Sequence, residues 1–189
     1  MRSLRVLLIG TAAVLAALPV RPADAQAPTV VVVVRHAEKV SADPSDRDPA
    51  LTPVGEARAR DLAAALASAG VDAILTTEFR RTQLTARPLA DALGLTPEVV
   101  RAASANHPAS VAEAVRRHAG HTVVVVGHSN TVPAIIAALG GPRLADICDS
   151  EHANLFVLVL NGTSAELIQS RYGAADPAPG PECQRPMRP

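Results

Sequence analysis

The sequence predicts an α/β fold: a single domain of three layers, α/β/α, around a mostly parallel central sheet with an antiparallel hairpin at its edge. Three observations carry that expectation. Val30 to Val34 and Thr122 to Val126 are β-branched runs with no polar face, the pattern of strands covered on both sides. Between them lie helix-spaced stretches bounded by cap and glycine signals, the alternation that builds crossover connections. Near the end, Leu155 to Leu160 and Ala165 to Arg171 flank Asn161-Gly162, a hairpin signature.

The first 25 residues stand apart from that fold. Met1 to Arg5 carries two arginines, Val6 to Leu18 is almost wholly apolar, and Ala23-Asp24-Ala25 is a small-x-small site. Together they read as a secretory signal peptide, 1–25, cleaved after Ala25. A retained membrane anchor is the competing reading, opposed by the shortness of the apolar core. The remainder divides into one domain, 26–173, and a Pro-rich tail, 174–189, too little chain for two domains of ordinary size.

Without the leader the chain carries 15 basic against 17 acidic residues, which points to neither nucleic acid nor a lipid surface as partner. Phe79, Phe156 and Tyr172 are the only aromatic residues, so no base-stacking platform is available and the core must be Ala, Val, Leu and Ile. Cys148 and Cys183 are the only cysteines. In an exported chain they are either a disulfide tying the tail to the domain or two unpaired thiols. Their spacing and the six scattered histidines give no metal-site signature, and neither metal nor cofactor is expected.

Taken in order, the five valines form the first strand, and Val40 to Ala50, rich in Asp, Ser and Pro, is a surface loop beside its end. Thr52 is an N-cap with Pro53 at the first helical position, and the helix runs to about Ala69 before Gly70 stops it. Asp72 to Leu75 is a second strand. Thr77 caps a helix to about Leu93, stopped by Gly94, with Pro88 kinking it or opening its first turns. Leu95 to Arg101 is a short extended piece, Ala105 to Pro108 a loop, and Ser110 to His118 a helix. Thr122 to Val126 is the next central strand, Asn130 to Leu139 a covered helix broken by Gly140-Gly141-Pro142, and the hairpin follows.

Three parallel strands thus end in Arg35-His36, in Thr77 to Arg81, and in Gly127-His128. Open α/β sheets bind ligands outside those carboxyl ends. Two imidazoles and two or three guanidinium groups on one sheet edge fit phosphoryl transfer through a phosphohistidine. Imidazole attacks phosphorus in line while arginine forks hold the non-bridging oxygens, and no metal is required. His36 is the expected nucleophile. Arg80, His118, His121 and His152 read as surface residues, and Glu38 and Lys39 as a solvated pair or as residues beside the site.

These residues resemble a known pattern, that of the histidine phosphatase superfamily (phosphoglycerate mutase-like, branch 1), whose members open on Arg-His-Gly or Arg-His-Ala. Arg35-His36-Ala37 matches that opening, Thr52 with Gly55 its follow-on, Arg81 the second arginine, and Gly127-His128-Ser129-Asn130 the second histidine motif. The resemblance spans Val30 to Tyr172 and is strongest to the small phosphohistidine phosphatases. It implies a phosphoglycerate mutase-like fold and a metal-independent phosphatase. It also implies that His36 is phosphorylated, that Arg35 and Arg81 are phosphate ligands, and that His128 binds an equatorial oxygen. Where many members place an acidic proton donor, this chain has Ala105-Asn106-His107-Pro108. Either His107 or a water donates instead, or Glu38 does, or the leaving group departs easily, as in phosphoramidates and anhydrides.

The expected partner is a small phosphorylated substrate or a phosphohistidine protein, the expected location periplasmic or secreted, the expected state monomer or dimer. Two other functions compete. A serine hydrolase would use Ser129 on a nucleophile elbow, but Thr131 stands where the elbow needs glycine. An exported domain that only binds a phosphorylated ligand would have no need of His36.

Overall fold

The computed structural model describes residues 27–183 apart from 42, 44, 103, 105, 163, 179, 181 and 182. The predicted leader, 1–25, and the last six residues of the tail lie outside the described residues. The valine run forms β1 (Thr29–Arg35), followed by α1 (Pro53–Leu66), β2 (Val71–Thr76), α2 (Arg80–Leu93) and β3 (Glu98–Val99). Then come α3 (His107–Arg116), β4 (Thr122–Gly127), α4 (Thr131–Ala138), β5 (Asn154–Asn161) and β6 (Ser164–Arg171).

One six-stranded sheet runs in the order β3-β2-β4-β1-β5-β6. β3, β2, β4 and β1 are mutually parallel, while β5 runs antiparallel to both β1 and β6. The alternation of side chains along β1 explains the three layers. Val31 and Val33 pack with Val111 and Val115 of α3 and Ile135 and Ile136 of α4. Val32 and Val34 pack with Leu62 of α1 and Leu89 of α2 on the opposite face. β1 and β4 are read as apolar throughout because both faces are covered.

Their register fixes the site. Val34 pairs with Val126 and Arg35 with Gly127, so the two strands end side by side and release His36 and His128 as neighbours.

Several boundaries differ from expectation for local reasons. β3 is two residues long, Glu98–Val99, rather than the whole of the extended piece Leu95 to Arg101. α2 is capped at Phe79 without a side-chain bond, the Thr77 hydroxyl being engaged elsewhere, and Pro88 lies within the helix rather than ending it. α3 starts three residues early, at His107, with Pro108 in its first turn where a missing N–H costs nothing.

The Pro-rich tail is fastened to the domain beyond β6. Asp176, 4% exposed, accepts hydrogen bonds from the backbone N–H groups of His152 and Ala153. Further on, the sulfurs of Cys148 and Cys183 are bonded, with their Cα atoms 5.4 Å apart.

Candidate active site

The turn after β1 is held at several of its polar backbone groups by neighbouring elements. The His36 N–H donates to Gly127 O at 2.9 Å, continuing the β1–β4 ladder by one residue. Ala37 N–H donates to Thr85 Oγ1 of α2 at 2.9 Å, and Glu38 O accepts from Thr52 N–H at the cap of α1, also at 2.9 Å. α1 approaches so closely that a Cβ on Gly55 would stand 2.2 Å from Glu38 O, which is why only glycine fits there.

The His36 ring is oriented by its own turn: Nδ1 lies 2.7 Å from Ala37 O. A carbonyl only accepts, so the proton sits on Nδ1 and Nε2 carries the free lone pair. Burial, and after it the charges of Arg35, His128 and Arg81, pushes the imidazole down to about 2. His36 is therefore a neutral ring with a nucleophilic nitrogen across the ordinary pH range.

Arg35 is 4% exposed and anchored by the loop before β5. Its NH1 donates to Cys148 O at 2.6 Å and to Glu151 O at 3.1 Å, and its NH2 pairs with Asp149 at 3.1 Å. The loop is itself braced, since Glu151 accepts the Cys148 N–H. Arg35 Nε remains buried with no partner among the described residues.

The His128 ring lies 5.4 Å from that of His36, edge to face. Its Nε2 sits 3.1 Å from Thr77 Oγ1, and the direction of that bond follows from the chain beyond it. The Thr82 hydroxyl donates to Phe79 O at 2.8 Å, so the Thr77 hydroxyl donates to Thr82 Oγ1 and Thr77 Oγ1 accepts from His128 Nε2–H. Nδ1 is left without the proton. Burial, then the Arg81 charge, holds His128 at about 4. Arg81 lies over the face of Phe79, 4.2 Å from the ring centroid, and 3.9 Å from Asp48. Its Nε is likewise buried and unpartnered among the described residues.

The structure thus brings His36, Arg35, His128 and Arg81 together at one sheet edge. Glu38 and His107 fare differently. The Glu38 carboxylate is taken by Arg58, whose Nε reaches both oxygens at 3.0 Å and whose NH2 reaches Oε1 at 2.8 Å. Burial opposes that charge, but the Arg58 fork outweighs it and holds the carboxyl below its usual range. His107, expected in a loop, heads α3 and donates from Nδ1 to Arg101 O at 3.0 Å. Its ring is pushed down by burial, so Nε2 is a lone pair rather than a donor. Neither residue holds a proton to give.

His152, read from sequence as a surface residue, is buried: its Nδ1 donates to the carbonyl of His36 at 3.0 Å. Arg58, which the sequence left unremarked, is also buried and bonds Glu38, Tyr172 O and Ala174 O. Only the spacing of Arg58 on the apolar face with Ala59, Leu62 and Leu66 hinted at this. A groove of about 340 Å³ lined by Thr29, Val115, Leu139 and Leu160 lies at the other end of β1 and contains none of these groups.

A neutral nucleophilic nitrogen with two unpartnered guanidinium N–H groups near it is equipped to receive a tetrahedral anion and attack it, while the expected contact of His128 with that anion is not prepared here, its Nε2–H being spent on Thr77. Comparison with known proteins agrees. The family model of the histidine phosphatase superfamily (branch 1) matches residues 31–103. Among solved structures, the protein histidine phosphatase SixA complexed with tungstate superposes with a TM-score of 0.60 at 18% identity, covering 75% of this chain and 96% of that one. A proposed phosphohistidine phosphatase SixA from Nakamurella multipartitia gives 0.56 at 24% identity, over 80% and 100%. A mycobacterial glucosyl-3-phosphoglycerate phosphatase gives 0.59 at 19% identity, over 78% and 100%. No curated protein sequence matches the chain.

Proposed function

We propose, from the match of residues 31–103 to the histidine phosphatase superfamily (branch 1), that this chain is a metal-independent phosphatase working through a phosphohistidine on a small phosphomonoester or phosphohistidine-type substrate. The observation that carries the reading is the state of His36: Nδ1–H donates to Ala37 O, Nε2 is bare, and Arg35, Arg81 and His128 surround the ring. The Nε2 lone pair attacks phosphorus, the bond to the leaving group opens, and the leaving group departs with that electron pair. The arginine Nε–H groups of Arg35 and Arg81 offer hydrogen bonds to the non-bridging oxygens as charge shifts onto them. Water then attacks the phosphohistidine, the N–P bond breaks, inorganic phosphate leaves with the proton of the water, and Nε2 recovers its lone pair.

The protonation pattern bears on substrate class. With Glu38 committed to Arg58 and His107 neutral at Nε2, either a water protonates the leaving group, or the leaving group brings its own proton or needs none. An imidazole leaving from phosphohistidine does so as the protonated ring, which favours that class over alkyl phosphomonoesters.

The test is a panel of phosphorylated compounds with EDTA present, wild type beside His36→Ala, with rapid quench of a 32P-labelled substrate. Wild type is expected to turn over, to carry acid-labile label on His36, and to favour the phosphoramidates; the variant falls to background. Metal-dependent turnover, or an unlabelled active enzyme, overturns the reading, and tight phosphate binding without turnover returns the chain to the binding-domain alternative.

The leader-like 1–25 and the bonded Cys148–Cys183 pair support export to the periplasm or medium. Fractionation with N-terminal sequencing should find a chain beginning at Gln26; a cytosolic chain beginning at Met1 would refute export.

A further inference from the structure

We propose that His152 is a positioning residue for His36, a role that rests on the phosphohistidine reading above. Attack in line needs the His36 ring held in one rotation, and the ring is held by a bond to the carbonyl of the very next residue. That bond is only as stiff as the backbone rotations between the two residues, ψ of His36 and φ of Ala37, which flank the peptide plane joining them. The plane is clamped at both ends: Ala37 N–H by Thr85 Oγ1 at 2.9 Å, and His36 O by His152 Nδ1 at 3.0 Å. A net turn at either rotation would break these bonds and shift the ring relative to Ala37 O.

His152 is built for this task and is itself fixed. Its ring is buried and lies 6.0 Å, centroid to centroid, from that of His36. Its own N–H and that of Ala153 donate to Asp176 at 2.8 and 3.0 Å, and Asp176 is held in turn by Arg171 at 3.3 Å and Arg58 at 3.7 Å. Ala153 O accepts from Tyr172 N–H at 3.0 Å. Because the His36 carbonyl only accepts, the proton of His152 sits on Nδ1. A neutral imidazole supplies that donor without adding a positive charge beside Nε2 of His36, which a lysine or arginine in its place would do.

The chemistry of the donor selects the test. Asparagine carries an N–H at the branch position where histidine carries Nδ1; leucine fills a similar volume with no donor, and glutamine places its amide one bond further out. In the full-length enzyme, kcat and KM for a chromogenic phosphomonoester are measured for wild type, His152→Leu and His152→Asn, together with the 15N–1H spectrum of the His36 ring. His152→Leu should lower kcat about 10- to 100-fold with KM within about twofold. His152→Asn should recover to within about fivefold of wild type. The His36 ring should lose its single Nδ1–H tautomer in the leucine variant and regain it in the asparagine variant. If His152→Leu does not fold, His152→Gln takes its place.

Wild-type kcat in the donorless variant, or asparagine no better than leucine, overturns the assignment. So does a change confined to KM, which would make His152 a substrate contact. A wild type that neither turns over nor accepts label refutes the phosphatase reading alone, and the tautomer comparison still decides the role of His152.

Discussion

The turn that carries His36 and the arginine that faces it from α2 are built differently. Within the turn, His36 N–H, O and Nδ1, Ala37 N–H and O, and Glu38 O all have partners at 2.7–3.0 Å, drawn from β4, α1, α2 and the segment before β5. Across from it, Arg81 Nε is buried with no partner among the described residues, and Arg81 is located by stacking on Phe79 and a 3.9 Å approach to Asp48. Hydrogen-bonding capacity is used up where the nucleophile must stay still and left over where an anion must be gripped. Preorganisation of this kind places the cost of order in folding rather than in the reaction. If the contrast is real, damage behind the turn should appear mainly as lost stability, and damage on the facing side as altered binding.

The largest effect expected is at Arg58, the residue that ties the turn to the tail. Arg58→Met keeps the length of the side chain but strips Glu38 and Asp176, 22% and 4% exposed, of their shared cation. Removing one partner from a buried ion cluster typically costs about 3–5 kcal/mol. Asp176 retains two amide donors and Arg171, so the lower end of that range is expected. Urea denaturation at pH 7 measures it, and a loss below about 1 kcal/mol would show that the turn does not depend on its backing.

A smaller and graded effect is expected in acid. Burial holds His36 at about 2 and His128 at about 4, and lowers His107 and His152 as well. In the unfolded chain each takes a proton near pH 6.5, whereas in the folded protein it stays neutral further down. The unfolded state thus binds more protons in that interval, and stability falls as pH drops below about 6.5, with the His128 contribution complete near 4 and that of His36 continuing toward 2. The urea midpoint should decline over this range in wild type and less steeply in His36→Asn. Equal slopes would mean that His36 is not held neutral.

How much of this was legible in sequence follows the same division. The strands ending at Arg35 and Gly127 could be read because a β-branched run buried on both faces leaves no alternative, and Arg81 because it opens the helix that follows a short apolar strand. The backing was not legible. His152 lies 116 residues from the carbonyl it holds, and Arg58 lies 114 from Tyr172, so neither partner is implied by local spacing. A lone histidine before a hairpin looks like a surface residue until the strand order places β5 beside β1. The Thr77 hydroxyl was misread for a related reason: it has the residue type of a helix cap, but the neighbouring strand brings His128 Nε2 to 3.1 Å and claims it.

The smallest effect expected lies on the facing side. Asp48 is part-exposed, stands 3.9 Å from Arg81, and accepts the Arg80 N–H at 2.8 Å. Asp48→Asn keeps the acceptor and removes the charge, so the fold should change by less than about 0.5 kcal/mol. With its counter-ion gone, Arg81 has more of its charge available to an incoming anion. KM for a phosphomonoester should drop about two- to threefold at low salt while kcat holds, and the difference should fade toward 1 M salt as the charges are screened. A rise in KM would mean instead that Asp48 holds Arg81 in its binding geometry, and that the facing side is braced in the manner of the turn.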